Sequence, residues 1–474
     1  MKESDDDNNT ADSSVKDASD DDVKDSASNQ TNDAALDDNL LPVLFVHGPS
    51  GSASQFESQA QRFMANGYPL KCLDTLEYDS SVIIAAMSDP TALPEAINDP
   101  DFQARLGAKM DQLLADCGAV KVNLICLSVT SSKCNVFMKT GDNAQKVAHY
   151  VQTDSIIDTA SGTPFGGVDT LALWSVFFAG ASVDAENVTN DHDDAQGHIE
   201  VATSAVSFAK MYEFFNDEAP NTTDIPEAEG DTVLIAGKAN IFPYNIGADA
   251  TSLSIYEVDQ STGLRVEDTE PIVEDLGIDT NGDWGPYEIK KGVAYEFAMM
   301  NEIVPTDEQH FYREPFYADD YFIRLNVGRP GEGVSSHLNR DGAHTNLMVA
   351  RDKEMWSDQD NGNDQVFIND NEVNILTPEA AAKNRMLSSL FLSDQDGEED
   401  SDYTIINDVT QMVFISGVDY YIPSATQSDL SDLSTISIKL ISRDGDGMSQ
   451  IMNVPNWPAN QVRTVSAQFR DFVQ

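Results

Sequence analysis

The sequence predicts an α/β half built on an open, mostly parallel sheet, followed by an all-β half. Between residues 40 and 153, strand-like apolar runs alternate with segments of helical spacing, the order that builds a parallel sheet with both faces covered. Beyond Pro220-Asn-Thr-Thr-Asp-Ile-Pro226, helical periodicity nearly vanishes and short alternating runs stand between Asp/Asn/Gly turns. The length of 474 residues exceeds one hydrophobic core. At ~100–200 residues per domain, roughly two to four domains are expected.

The first element is Leu40-Leu-Pro-Val-Leu-Phe-Val46, a continuous apolar run ended by His47-Gly48-Pro49-Ser50-Gly51, as in a buried parallel strand feeding a tight loop. A helix over Gln55–Asn66 stops at Gly67-Tyr68-Pro69, and a second strand is expected over Leu70–Tyr78. Phe102, Leu106, Met110, Leu113 and Leu114 share one face of a helix over Phe102–Cys117. A strand over Lys121–Cys126, a helix over Ser131–Thr140 and a strand over Val147–Thr153 complete the pattern. Right-handed crossovers bring the loops after the strands to one edge, gathering His47-Gly48, Ser128 and Asp154 where ligands bind in such sheets.

In the β half, strands are expected over Thr232–Ala236, Ser252–Val258, Val293–Met299, Val366–Asn369, Ile436–Ser442 and Val462–Phe469. Roughly 240 residues exceed one sandwich, so two β-sandwich subdomains are expected, with a break near Gly328-Arg-Pro-Gly331. The domains then run 1–39 (acidic disordered tether), 40–226 (α/β), 227–335 and 336–474 (β-sandwiches).

The formal net charge is −53, and residues 1–39 account for −10 of it, so the acidity belongs to the folded body. Such a surface repels nucleic-acid phosphates and anionic membranes. Few lysines with aspartate in nearly every loop suit a salt-adapted exported protein, in which ions screen self-repulsion. The melting temperature is therefore expected to rise with added NaCl, and a Tm indifferent to salt would refute this. Cys72, Cys117, Cys126 and Cys134 contain no C-x-x-C pair, so zinc and thioredoxin chemistry are not indicated, and the spacing leaves room for a disulfide without assigning one. No run approaches the ~18 apolar residues of a transmembrane helix. Met1 leads straight into Asp/Ser/Asn-rich sequence without a signal-peptide core, so residues 1–39 fit the spacer left by a processed export signal, in a secreted or surface-tethered protein.

Ser128, in Val122-Asn-Leu-Ile-Cys-Leu-Ser-Val-Thr130, stands between a strand and a helix, where an α/β-hydrolase carries its nucleophile. Ester hydrolysis on such a sheet needs a serine, an acid and a histidine in that chain order, with two backbone N–H groups for the oxyanion. Asp154 follows the next strand, and His198, in Gln196-Gly-His-Ile-Glu200, precedes a helix over Val206–Phe215. Asp158 and Asp169 are rival acids, and His192, among aspartates in Asn190-Asp-His-Asp-Asp194, is a rival base that fits a solvated loop better.

Leu44-Phe-Val-His-Gly48, Gly51-Ser-Ala-Ser-Gln-Phe-Glu-Ser-Gln59 and Arg62-Phe-Met-Ala-Asn-Gly-Tyr-Pro69 resemble the two-domain α/β-hydrolase lipases of archaeal type with a C-terminal β-domain. The likeness continues through Lys146-Val-Ala-His149, Met211-Tyr-Glu-Phe-Phe215, Thr222-Thr-Asp-Ile225, Leu253-Ser-Ile-Tyr256 and Tyr312-Arg-Glu-Pro-Phe316. The resemblance implies a triad on Ser128, Asp154 and His198, oxyanion donors at Val129 and at the Pro49 position, and long-chain acyl esters as substrate, met at a lipid–water interface with help from the β half. It implies no cofactor.

The chain departs from that pattern in three places. Cys126 and Thr130 stand where elbow glycines are usual, and Pro49 has no N–H to give an oxyanion. Ser50, through its N–H or hydroxyl, is the available substitute. Ser80–Pro100 is shorter than a lid-bearing segment, which predicts weak interfacial activation. The same departures define an alternative, an impaired hydrolase scaffold that binds lipid or a surface. The acidic loops Asp279-Thr-Asn-Gly-Asp283, Asp358-Gln-Asp-Asn-Gly362 and Asp444-Gly-Asp-Gly447 complete no EF-hand and read as solvated turns, so no metal is expected.

Overall fold

The computed structural model describes residues 36–37, 39–89, 91–155, 162–304, 307–340, 343–358, 362–369, 371–381, 386–407, 413–443 and 448–472. Nearly all of the expected tether lies outside them, as do Asp158 and the Asp444–Gly447 loop.

The α/β half carries six strands, β1 (Val43–Val46), β2 (Leu73–Leu76), β3 (Val122–Leu127), β4 (Val147–Thr153), β5 (Asp169–Ser175) and β6 (Val188–Asp193). All pair in parallel, in the order β2-β1-β3-β4-β5-β6. The apolar run of β1 exists because both its faces are covered. Leu44 and Val46 enter one core, while Val43 and Phe45 enter another on the opposite side. Strand order reverses at β1, and the loops after β1 and β3 therefore flank the crevice at that switch point. Two strands escaped the sequence reading. β6 is a polar edge strand without an apolar signature, and β5 emerges from a Gly/Pro-rich stretch.

The helices of this half are α1 (Glu57–Ala65), α2 (Ser81–Met87), α3 (Leu93–Ile97), α4 (Pro100–Cys117), α5 (Thr130–Met138), α6 (Glu200–Thr203) and α7 (Ala205–Asn216). The longest, α4, begins at Asp99, whose carboxylate accepts the Asp101 and Phe102 N–H groups, with Pro100 in the first turn. It ends on left-handed Gly118, and Phe102, Leu106, Met110 and Leu113 form its buried face. The short α2–α3 hairpin occupies the segment expected to lack a full lid. No helix among the described residues is long and apolar enough to cross a membrane.

All four cysteines are paired, Cys72 with Cys117 and Cys126 with Cys134. The sequence leaves their pairing open. Sequence spacing could not find these pairs, because the first joins the start of β2 to the end of α4 across the sheet.

All six strands expected in the β half are present within a few residues of their expected limits, the first extending to Thr232–Ile241. A nine-stranded sheet runs through the whole half and is covered at one end by a four-stranded sheet and at the other by a three-stranded one. Each end has its own core, one around Ile235, Leu253, Phe297 and Ile323, the other around Val349, Leu392, Ile438 and Val465. Two sandwiches thus share one sheet, joined where Glu308–Arg313 pairs in parallel with Val462–Gln468.

Candidate active site

Ser128 sits at the end of β3 with φ 61°, a left-handed backbone that a β-carbon disfavours and that a strand-to-helix elbow demands. Its N–H donates to Thr153 O (2.8 Å), extending the β3–β4 ladder and setting Ser128 beside the end of β4. The elbow tolerates side chains where glycines are usual because each has found a partner. Cys126 points into the α4–α5 layer and is bonded to Cys134 of α5, so the disulfide spans the serine. Thr130 is buried with its hydroxyl 2.6 Å from the Tyr78 hydroxyl, and Tyr78 in turn stacks on His47 at 4.5 Å.

Asp154, also at positive φ (48°), is buried. Its Oδ1 accepts the Ser175 N–H (2.6 Å), and its Oδ2 accepts the Ser175 hydroxyl and the His198 Nδ1–H (2.9 Å). This locks the carboxylate in one orientation and fixes the histidine tautomer, leaving Nε2 free to take a proton. Ser175 was invisible in the sequence because its strand was. The His198 ring stacks on Phe414 at 6.0 Å, and Phe178 is tilted against it at 6.1 Å.

The structure brings Asp154 and His198 into contact and sets Ser128 one strand over. Among the described residues the Ser128 hydroxyl makes no hydrogen bond. The rivals are elsewhere. Asp169 begins β5 at the opposite sheet edge, opposite His149. His192 lies on β6, three strands from β3, exposed and 2.7 Å from Ala181 O.

The loop after β1 packs against the elbow. A β-carbon on Gly48 would lie 3.4 Å from Ser128 Cβ. Gly48 N–H is committed to Gln55 Oε1 (3.1 Å), and Pro49 has none to give. The next donor is Ser50 N–H, at φ 60°, which like the Val129 N–H has no acceptor among the described residues.

A cavity of about 540 Å³ opens beside the site, between the α/β half and both sandwiches. Ser128, Asp154 and His198 do not line it, but Ser50, Ile199 and Phe414, which flank them, do. Phe242, Met348, Phe391 and Ile415 supply apolar wall. The Asp352 carboxyl in the wall is pushed up to about 7 by burial, with the charges of Glu57 and Asp471 adding to it.

For metals the described residues offer little. Asp279 Oδ1 accepts the Asn281 and Gly282 N–H groups, an ordinary turn. Asp394, Asp396 and Asp419 lie close enough to share a cation, yet the Asp394 and Asp419 carboxylates already accept the Gly397, Gln395 and Asp402 N–H groups.

A six-stranded parallel sheet with a serine elbow, followed by β-sandwiches, is a lipase-like α/β-hydrolase fold with a C-terminal β domain. Residues 231–330 match the family model of the lipase C-terminal domain, and residues 333–473 match a second family model of a C-terminal domain. No curated protein matches the chain. Among solved structures, Aspergillus fumigatus lipase B aligns at 10% identity over 39% of this chain and 54% of its own, with a TM-score of 0.28. This chain thus spans about half of that protein's length. Bacillus licheniformis lipase BlEst2 in its propeptide form aligns at 11% identity over 88% of this chain and 94% of its own, also at 0.28. Superpositions this loose fix neither mechanism nor substrate.

Proposed function

We propose that the protein is a carboxylic ester hydrolase of the lipase type. The observation that carries this is the buried Asp154–His198 contact at the sheet edge where Ser128 holds a left-handed elbow conformation. Ser128 Oγ attacks the acyl carbon while His198 Nε2 takes its proton, Asp154 stabilising the imidazolium. Collapse of the tetrahedral intermediate sends that proton to the departing alcohol, and water then releases the acid by the same route. The oxyanion is held by the Val129 N–H and, in place of Pro49, by Ser50. No cofactor takes part. The apolar cavity beside the site suits a long acyl chain, being within the ~300–1,000 Å³ of small-molecule pockets. Val82 and Met87, exposed on α2 beside cavity-lining Ile84, suit contact with a lipid–water interface. Two disulfides favour an oxidising compartment, in keeping with a secreted or surface-tethered protein.

A fluorophosphonate probe tests this on folded protein. Wild type is expected to form a stoichiometric adduct, and Ser128→Ala none. Folded wild type that never labels would sink the proposal and leave a scaffold that only binds lipid, the role Pro49 suggests.

A further inference from the structure

The triad and the oxyanion loop belong to the α/β half, yet each is held from outside it. Glu354, in the segment matching the second C-terminal domain, is fully buried against the His198 loop. One carboxylate oxygen accepts the Ile199 N–H and the other the Glu200 N–H (3.2 Å), the two donors immediately after His198. These are the opening N–H groups of α6, which no helical carbonyl can satisfy. The fit is close, since a β-carbon on Gly197 would strike the Glu354 carboxylate. Glu354 is itself fixed, because Arg351 and Arg443 both donate to its backbone carbonyl. Arg443 and Lys353 also reach back to Glu200. Phe414 of the same segment supplies one face of the His198 ring.

The other sandwich reaches the other loop. Asn245, buried at φ 52° in the lipase C-terminal segment, places Nδ2 2.9 Å from Gly51 O and 3.1 Å from Tyr78 O. Its donors tie the loop carrying Pro49 and Ser50 to the end of β2.

We propose that the catalytic edge is completed by the β half, with Glu354 as the positioning residue of the His198 loop and Asn245 as that of the oxyanion loop. This rests on the serine-hydrolase mechanism above. It makes the two loops answer to the docking of separate sandwiches, so that ester hydrolysis requires the full chain.

The test uses the full-length protein, with Ser128 labelling by the fluorophosphonate and p-nitrophenyl ester turnover as readouts. Glu354→Ala and Asn245→Ala are each expected to lower kcat and labelling rate about 10²-fold, the cost of a misplacement of about 1 Å, with KM within about threefold of wild type. Glu354→Gln keeps one acceptor and is expected to recover about tenfold of the loss, a rescue that mere loss of folding stability does not produce. Hydrogen exchange is expected to show the Ile199 and Glu200 amides unprotected in Glu354→Ala while the β1–β5 amides stay protected. Should that variant fold poorly, Glu354→Gln is judged alone by its labelling rate. Wild type that labels, with both variants inside threefold of it, overturns the positioning roles and leaves the hydrolase reading intact. Wild type that does not label overturns both.

Discussion

Asp154→Asn is expected to leave the fold intact and to cut Ser128 acylation about 10⁴-fold. Asp154 accepts three hydrogen bonds, two from Ser175 and one from His198. An asparagine oxygen can keep the Ser175 N–H, but its amide nitrogen must then face both the Ser175 hydroxyl and His198 Nδ1. The hydroxyl can turn round and accept. The imidazole can accept only by moving its proton to Nε2, and in that tautomer it can no longer take the proton of Ser128. The rate of fluorophosphonate labelling checks this, with circular dichroism and Tm to show that the fold survives. A variant that labels within tenfold of wild type would remove Asp154 from the mechanism. It would also return attention to Asp158, the rival acid outside the described residues.

Glu296→Ala is expected to cost about 3 kcal/mol of stability, because it takes the nearer carboxylate from the buried His310 and both hydrogen bonds from the half-buried Arg265. Glu296 lies in the junction between the sandwiches, 2.5 Å from His310 Nδ1 and paired twice with Arg265 (2.7 and 3.1 Å), and His310 Nε2 meets Glu308 at 3.1 Å. Burial alone would push the Glu296 carboxyl up, but the charges of His310 and Arg265 prevail and hold it at about 2. Burial alone would likewise depress the His310 imidazolium, but Glu296 and Glu308 raise it above its ordinary 6.5. The signs follow from linkage. The Glu296 contribution is complete above pH 4.5 and is lost as pH falls toward 2, whereas that of His310 is complete below pH 6.5 and is lost as pH rises through its folded value. Urea titrations from pH 3 to 9 should therefore show wild-type stability falling at both ends, and the variant should be less stable throughout with a flatter profile. A loss below about 1 kcal/mol at pH 6 would show the pair to be no better than a surface one.

How much of the site could be read in the chain depended on how local each signal was. Ser128 could be placed because the fully buried β3 leaves the apolar stretch from Leu124 to Leu127 that ends on it. His198 and Asp154 could be placed because chain order and the handedness of crossovers assign each loop to a sheet edge. Ser175 was lost with β5, and the cysteine pairs were lost because they close only when α4 and α5 dock on the sheet. Pro49 could be seen as a missing donor. That Gln55 takes the Gly48 N–H, so that Ser50 becomes the first free donor of the loop, could not.

The sequence alone determined the fold class, the order of its halves and the sheet edge that carries Ser128, Asp154 and His198, because each is written in periodicity, turn chemistry and chain order. Only the tertiary structure decided that Cys126 and Thr130 are accommodated, that the rivals Asp169 and His192 are out of reach, and that Glu354 and Asn245 stand over the two loops. Glu354 lies 156 residues beyond His198, and Asn245 lies 194 beyond Gly51. No local pattern relates such pairs, since their contact arises only when two sandwiches pack against one end of a sheet and bury backbone N–H and C=O groups that must find partners.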